Sequence, residues 1–213
     1  DDQGVSMADY QAPLDDIRFL MYDVFDMPSF WQQTPALAEV IDRETADAML
    51  EEGAKIAAEV VAPLQRVGDE EGCQYGEGGV VTTAPGYVQA YKTYAEGGWV
   101  GLSGNDQYGG MGMPKTLAMY CDEMFSAADI SFQLCPMLTA GACLSMNQHA
   151  SEELKETYLP RMYSGEWAGS MCLTEPHAGS DLGIIRTKAE DNGDGSYSIS
   201  GTKIFITSGE QDM

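Results

Sequence analysis

The chain has 213 residues, a length that allows one to two domains and a sizeable buried core. Its 34 acidic and 11 basic residues give a formal net charge of -23, which would repel nucleic-acid phosphates and anionic lipid heads, so we expect neither partner. No apolar run reaches the roughly 18 residues of a membrane helix and no signal segment opens the chain, which predicts a cytoplasmic protein.

Cysteine and histidine usage argues against a disulfide framework and against a metal centre. The five cysteines are odd in number and contain no Cys-x-x-Cys pair, which indicates buried, reduced thiols. The two histidines, His149 and His177, are too few and too far apart to form a metal-ligand set. We therefore predict no metal.

The first 36 residues read as a tag remnant, residues 1–6, followed by an N-terminal extension that begins at Met7. Asp15 or Asp16 is positioned to cap a short helix. The apolar face of that helix would carry Ile17, Leu20, Met21 and Val24. Residues 37–64 then repeat apolar positions at three- and four-residue steps, which predicts one long helix that ends at Pro63 before a polar, glycine-rich loop.

The middle of the chain predicts further helices. One follows a short extended piece at residues 80–82 and packs through Tyr87, Ala90, Tyr91 and Tyr94. Another follows Pro114 and packs through Leu117, Ala118, Cys121, Met124, Phe125 and Ala128. The nearly uncharged stretch at residues 130–146 predicts a helix buried on most sides, either in the core or along a tunnel. Ser151 would cap the last helix, which ends at Gly165.

Beyond Gly165 the hydrophobic period changes from helical to extended. Residues 187–190, 197–200 and 203–207 predict strands, with a hairpin turn at Asp194-Gly195, and residues 167–173 predict a buried strand. The fold class is therefore α+β. An all-α domain at residues 37–165 precedes the first strands of an antiparallel, barrel-like domain at residues 166–213, where the chain stops and so reads as a fragment.

Two short blocks in this last part carry the functional signal. Residues 172–183 read Cys-Leu-Thr-Glu-Pro-His-Ala-Gly-Ser-Asp-Leu-Gly, and residues 201–209 read Gly-Thr-Lys-Ile-Phe-Ile-Thr-Ser-Gly. In sequence and spacing they resemble signatures of the acyl-CoA dehydrogenase flavoenzymes, although a strand-turn-strand segment of an unrelated β domain is the alternative. The N-terminal extension is similar to that of a bacterial branch of this family that includes 3-methylthiopropionyl-CoA dehydrogenases.

The resemblance implies FAD as the cofactor and assigns roles residue by residue. The flavin ring would contact Met171, Leu173, Thr174, Phe205, Ile206 and Thr207. The pyrophosphate would lie at Gly179 and Ser180, and Ser180 would also reach the CoA part of the substrate. Most relatives carry tryptophan at the position of Phe205, so ring stacking is expected to survive here while the indole donor does not.

The implied activity is α,β-dehydrogenation of an acyl-CoA thioester, with 3-methylthiopropionyl-CoA as one candidate. The partners would be an electron-transfer flavoprotein or similar acceptor and, in the full-length protein, further copies in a homo-oligomer. The family's catalytic glutamate base lies beyond these residues, so no catalytic residue is assigned in this chain. An acyl-CoA oxidase or nitroalkane-oxidase-like flavoenzyme, and an inert folded fragment, remain alternatives.

Three further features lie in a glycine-rich loop, in the uncharged stretch that follows it and in the first block. Gly104, Gly109, Gly110 and Gly112 lie in a loop at residues 104–113 that lacks the dinucleotide-binding spacing. In the family this loop lies near the acyl-substrate entrance, and residues 132–142 border the acyl chain; a flexible connector and ordinary core packing are the alternatives. Glu175 and Asp181 are better explained by structural hydrogen bonds than as bases, and His177 as a branch-specific loop residue.

Overall fold

The computed structural model describes residues 10–213, so the predicted tag remnant and Met7 lie outside the described residues. The described chain divides into two compact units. The helical unit consists of residues 10–169 together with Glu210–Met213, and the β unit is Ser170–Gly209.

Helices dominate the first unit. The α-helices in chain order are α1 (Leu14–Arg18), α2 (Met27–Gln33), α3 (Arg43–Ile56), α4 (Leu64–Glu71), α5 (Tyr87–Glu96), α6 (Lys115–Ala128), α7 (Ile130–His149) and α8 (Glu152–Tyr163). Wider π-helical turns lie at Phe19–Val24 and Ala57–Val61, and short 3-10 turns lie at Glu77–Gly79, Trp99–Gly101 and Asp106–Tyr108. A small antiparallel hairpin pairs β1 (Gln74–Tyr75) with β2 (Val81–Thr82). β1 lies in the stretch predicted as a polar loop, whereas β2 confirms the extended piece predicted at residues 80–82.

The N-terminal extension differs from its prediction in two respects. Neither Asp15 nor Asp16 caps α1, because the residue before the helix is Pro13 and makes no side-chain capping bond. Ile17 and Met21 are buried as predicted, whereas Leu20 and Val24 are exposed. The following turn is π-helical rather than α-helical, and this changes which side chains share a face.

The prediction of one helix over residues 37–64 is wrong at both ends. The helix α3 begins only after Asp42, whose carboxylate accepts a bond from Thr45 N at 2.7 Å. At the other end Pro63 precedes α4 instead of ending the helical run, because a proline lacks the amide hydrogen that the first turn of a helix does not use. The run continues to Glu71.

Aromatic packing forms the centre of the helical unit. Tyr94 of α5 makes edge-to-face contacts with Phe125 of α6, at a ring-centroid distance of 4.9 Å, and with Phe132 of α7, at 5.7 Å. The predicted core faces of α5 and α6 are confirmed, since every residue named for them is buried. Asp129 caps α7 through Ser131 N and also accepts a bond from Tyr87 OH at 2.6 Å, which ties α5 to the start of α7.

The prediction that α7 is buried on most sides is wrong. One face, which includes Phe132, Cys135 and Cys143, is buried, but Leu134, Met137 and Leu144 are exposed. An uncharged helix sequence does not distinguish packing against the core from an apolar surface that faces a ligand or another segment.

The β unit contains one regular hairpin. Antiparallel strands β3 (Lys188–Asp191) and β4 (Tyr197–Ser200) pair with Lys188 opposite Ser200 and Asp191 opposite Tyr197, which confirms the two predicted strands and their turn. Residues 167–173 and 203–207 are not strands, so those two predictions are wrong. The α+β class is confirmed, and the described residues form no closed barrel.

The described residues contain no helix long and apolar enough to cross a bilayer. Within the same residues no group of three or more His, Cys, Asp or Glu side chains is arranged to hold a metal ion. The expectation of buried thiols holds for Cys121, Cys135 and Cys143, but Cys73 and Cys172 are exposed. Burial raises the pKa of the Cys121 thiol to about 12.

Candidate functional site

The two sequence blocks lie side by side in the β unit. Ile204 N donates to Thr174 O at 2.9 Å, and the Ser170 hydroxyl donates to Thr207 O at 2.8 Å. Because these two bonds join the segments in antiparallel order, they bring Met171, Leu173 and Thr174 next to Phe205, Ile206 and Thr207. The predicted ring-contacting residues are therefore neighbours in space.

The second block cannot form a regular strand because its backbone turns twice. Phe205 has φ 55° and Ser208 has φ 51°. Both values lie in the left-handed region, which residues other than glycine seldom adopt. The Phe205 ring is 86% exposed, and Met171, Leu173 and Ile206 are exposed as well. In the β unit taken by itself, these four apolar side chains leave an uncovered surface beside two threonine hydroxyls.

Glu175 is the centre of the hydrogen-bond network that joins the two blocks. Its buried carboxylate accepts bonds from Arg186 N at 2.8 Å and from Thr187 N and Oγ1 at 3.0 and 2.5 Å. Lys203 Nζ donates to Glu175 Oε1 at 3.0 Å and to Leu173 O at 2.9 Å. One carboxylate thus holds the first block, the start of the hairpin and the second block together.

These donors stabilise the charged carboxylate. The hydrogen bond from the Thr187 side chain, the one from Arg186 N and the bond from Lys203 keep the pKa of Glu175 well below its usual value. A carboxylate so fully engaged is a poor base, which confirms the structural role expected for Glu175. Asp181 is likewise structural, because it accepts a bond from Gly183 N at 2.9 Å and caps the 3-10 turn Leu182–Ile184.

The loop after Glu175 is closed at its base. Glu175 and Ala178 exchange two main-chain bonds of 2.9 and 3.0 Å around the turn at Pro176-His177. His177 Nε2 lies 3.2 Å from Ile184 O and 3.5 Å from Glu175 Oε2, so His177 braces this loop.

Gly179 and Ser180 lie exposed on the same loop. Gly179 does not adopt a positive φ, and a Cβ added there would meet no atom within 4 Å. The packing of the described residues therefore does not require glycine at this position.

The helical unit contains a separate pocket of about 350 Å³. Its wall combines the glycine-rich loop with the exposed face of α7, the two regions that the family resemblance places near the acyl chain. The lining residues are Val100, Ser103, Gly104, Asn105, Met113, Lys115, Asp122, Met137, Ala140, Gly141, Cys143, Leu144, Asn147 and Tyr163. A Cβ added to Gly141 would enter open space, so packing does not require glycine here and a larger side chain would reduce the volume of the pocket.

A polar group borders this pocket. Asp122 accepts a bond from Gln133 Nε2 at 3.1 Å. Gln133 is fully buried, and its Oε1 has no hydrogen-bond partner among residues 10–213. Burial raises the pKa of the Asp122 carboxyl, although the nearby positive charge of Lys115 opposes the shift.

Comparison with known proteins identifies the family of this chain. Residues 43–166 match the model described as "Acyl-CoA dehydrogenase, N-terminal domain", which is more than half of the chain. The chain belongs to the acyl-CoA dehydrogenase family. Over 206 residues, or 96% of this chain and 34% of the relative, it is 43% identical to 3-methylmercaptopropionyl-CoA dehydrogenase of Ruegeria pomeroyi. It is 37% identical to a butyryl-CoA dehydrogenase of Syntrophomonas wolfei over 207 residues, again 96% of this chain and 34% of the relative.

Solved acyl-CoA dehydrogenases share the fold. A structure described as acyl-CoA dehydrogenase complexed with FAD from Bacillus anthracis superposes with a TM-score of 0.64 at 27% identity, covering 81% of this chain and 27% of that one. The alignments to the curated relatives extend ahead of residue 43, which confirms the resemblance to a branch with an N-terminal extension. The chain spans about a third of the length of those relatives.

The sequence pattern of the second block assigns no role to Lys203. The structure makes it the only lysine or arginine among the described residues that pairs with the buried Glu175. A sequence signal was available, since the second block has Lys203 as its one charged residue and the first block has Glu175 as its one glutamate, and opposite charges isolated in such segments suggest an ion pair.

Proposed function

We propose that this chain is the acyl-binding and flavin-contacting part of an FAD-dependent acyl-CoA dehydrogenase. The observation that carries the proposal is the pairing of the two motif blocks through Ile204 N, Thr174 O and the Lys203–Glu175 ion pair. The substrate would be a short acyl-CoA thioester, for which the 3-methylmercaptopropionyl-CoA and butyryl-CoA dehydrogenases among the relatives are the guides. Electrons would pass to an electron-transfer flavoprotein or a similar acceptor, and the whole protein would act as a homo-oligomer.

The residues present fit FAD. Exposed Leu173, Phe205 and Ile206 offer apolar contact to a flat ring, and Thr174 and Thr207 offer hydroxyl donors beside it. At Gly179 the absence of a side chain leaves the main chain open to close approach, and the adjacent Ser180 hydroxyl is exposed. These are groups that bind a ring and a pyrophosphate.

When bound, FAD supplies the hydride acceptor for the reaction. The residues of this chain bind and orient. Lys203 fixes Leu173 O, and through it the main chain that leads to Thr174, while Ile204 N fixes Thr174 O. Because both segments are tied at several points, their donors would need little rearrangement when the charge on the ring changes.

The pocket of the helical unit would take the acyl chain. Met113 and Met137 provide polarizable, adaptable walls, and Gly141 sets the volume next to Leu144. Asn105, Lys115, Asp122 and Asn147 make part of the lining polar, which suits a short chain better than a long alkyl chain.

Anaerobic mixing of the purified, FAD-loaded protein with acyl-CoA thioesters of increasing length tests the proposal. We expect the flavin absorbance to bleach with short acyl groups. An absence of bleaching with every chain length would overturn the proposal, and peroxide formation in air would identify an oxidase instead.

The variant Gly141→Leu tests the pocket. Filling it should reduce kcat/KM for hexanoyl-CoA relative to butyryl-CoA by about tenfold or more, the usual range for one or two methylene groups in an apolar site. Leu154→Ala, an exposed change on α8, serves as the control because this residue does not line the pocket. An equal change for both substrates would show that Gly141 does not limit the chain length.

A further inference from the structure

Negative charge is distributed unevenly along this acidic chain. The β unit contains three basic and five acidic residues, which leaves eight basic and 29 acidic residues for the rest of the chain. An anionic ligand would therefore meet much less repulsion at the β unit than elsewhere on the protein.

Most basic side chains are already engaged. Seven of the eleven take part in ion pairs: Arg18, Arg43, Arg66, Lys92, Lys155, Arg161 and Lys203. The other four lie within the described residues and form no ion pair there. Two of them, Arg186 and Lys188, are exposed and two residues apart in the β unit.

The positions of these two residues are fixed by the network around Glu175. Arg186 N is held by Glu175 Oε2, and the next residue, Thr187, is held by Glu175 Oε1 through its N and Oγ1. Lys188 begins β3 opposite Ser200, whose hydroxyl therefore lies on the same face of the hairpin. Glu175 itself is neutralised by Lys203, so its charge is not available to Arg186 as a partner.

Ser180 lies on the loop between two points that Glu175 binds. The main chain of Glu175 pairs with Ala178, and its carboxylate binds the main chain of residues 186–187. We propose that Arg186 and Lys188, with the Ser200 hydroxyl, bind phosphate groups of an adenine nucleotide. The proposal rests on the proposed function, in which acyl-CoA and FAD are two sources of that chemistry. It explains how a chain with a net charge of -23 accepts a polyanionic ligand.

Calorimetric titrations of the purified protein at low ionic strength test this. In the double variant Arg186→Ala/Lys188→Ala, the Kd of free CoA should rise about tenfold while the Kd of pantetheine, which lacks the nucleotide, stays unchanged. A parallel titration of the flavin-free protein compares FAD with riboflavin. If only the affinity for CoA falls, Arg186 and Lys188 bind the phosphates of the substrate. If only the affinity for FAD falls, they bind the phosphates of the cofactor.

Lys55→Ala is the matched control, because Lys55 is also exposed and forms no ion pair but lies on α3. Unchanged affinity for both CoA and FAD in the double variant, or an equal loss in the control, would overturn the proposal. A thermal midpoint equal to that of the parent protein excludes unfolding as the cause. If acyl-CoA does not bleach the flavin but CoA affinity still depends on Arg186 and Lys188, the proposed function fails and the phosphate site stands.

Discussion

The two units bury different kinds of side chain. In the helical unit the largest fully buried residues include Trp31, Tyr94, Phe125 and Phe132, whereas in the β unit the buried residues are Glu175 and Ala178. The helical unit is thus stabilised by apolar packing, and the β unit by a carboxylate that accepts hydrogen bonds from two other segments, residues 186–187 and Lys203. Apolar packing distributes the stability of the helical unit over many residues, whereas the hydrogen bonds to Glu175 make the stability of the β unit depend on a few.

The largest effect is expected from a core truncation in the helical unit. Phe125→Ala removes a fully buried ring that contacts Tyr94 and Trp99, and should lower the free energy of unfolding by about 3–5 kcal/mol. Chemical denaturation followed by circular dichroism measures this. Met119→Ala on the same helix is exposed and should change it by less than about 0.5 kcal/mol. Equal losses would contradict the assignment of the core.

A smaller and local effect is expected from Lys203→Met. The change leaves the buried Glu175 without its cationic partner and frees Leu173 O, so the β unit should lose hydrogen-exchange protection while the helical unit keeps it. FAD affinity should fall by about tenfold or more. Ser170→Ala, which removes a bond between the same segments but leaves Leu173 in place, should weaken FAD binding much less. An equal fall of hydrogen-exchange protection in both units would contradict the prediction that the effect of Lys203→Met is confined to the β unit.

The smallest effect is a difference in pH dependence. The lowered pKa of Glu175 means that its contribution to stability is present above about pH 4.5 and is lost as the pH falls through the lowered pKa. The pKa of Asp122 is raised, so the folded helical unit binds a proton more tightly and gains stability as the pH falls toward 3.8.

Hydrogen exchange between pH 7 and pH 3 would follow both units. Glu175→Gln should destabilise the β unit at pH 7 and differ less from the parent protein in acid. Asp122→Asn should stabilise the helical unit at pH 7, and this gain should also shrink in acid. The same sign for both variants at pH 7 would contradict the assigned shifts.

The sequence by itself determined the α+β class, the faces of α5 and α6, the β3–β4 hairpin and the family. These features are local, since helical and strand periods and turn residues express themselves over a few neighbouring positions, and the two motif blocks are contiguous. Its errors lie where a residue's environment depends on distant parts of the chain. The sequence predicts a helix end at Pro63 and an α7 buried on most sides, and both predictions are wrong.

Only the tertiary structure decided which residues meet. The pairing of Thr174 with Ile204, the ion pair of Lys203 with Glu175, and the pocket between α7 and the glycine-rich loop all join residues far apart in the chain. Periodicity contains no information about such pairs, because it describes the environment of each residue and not the identity of its partner. The positive φ of Phe205 is of the same kind, since nothing in its local sequence favours a left-handed turn.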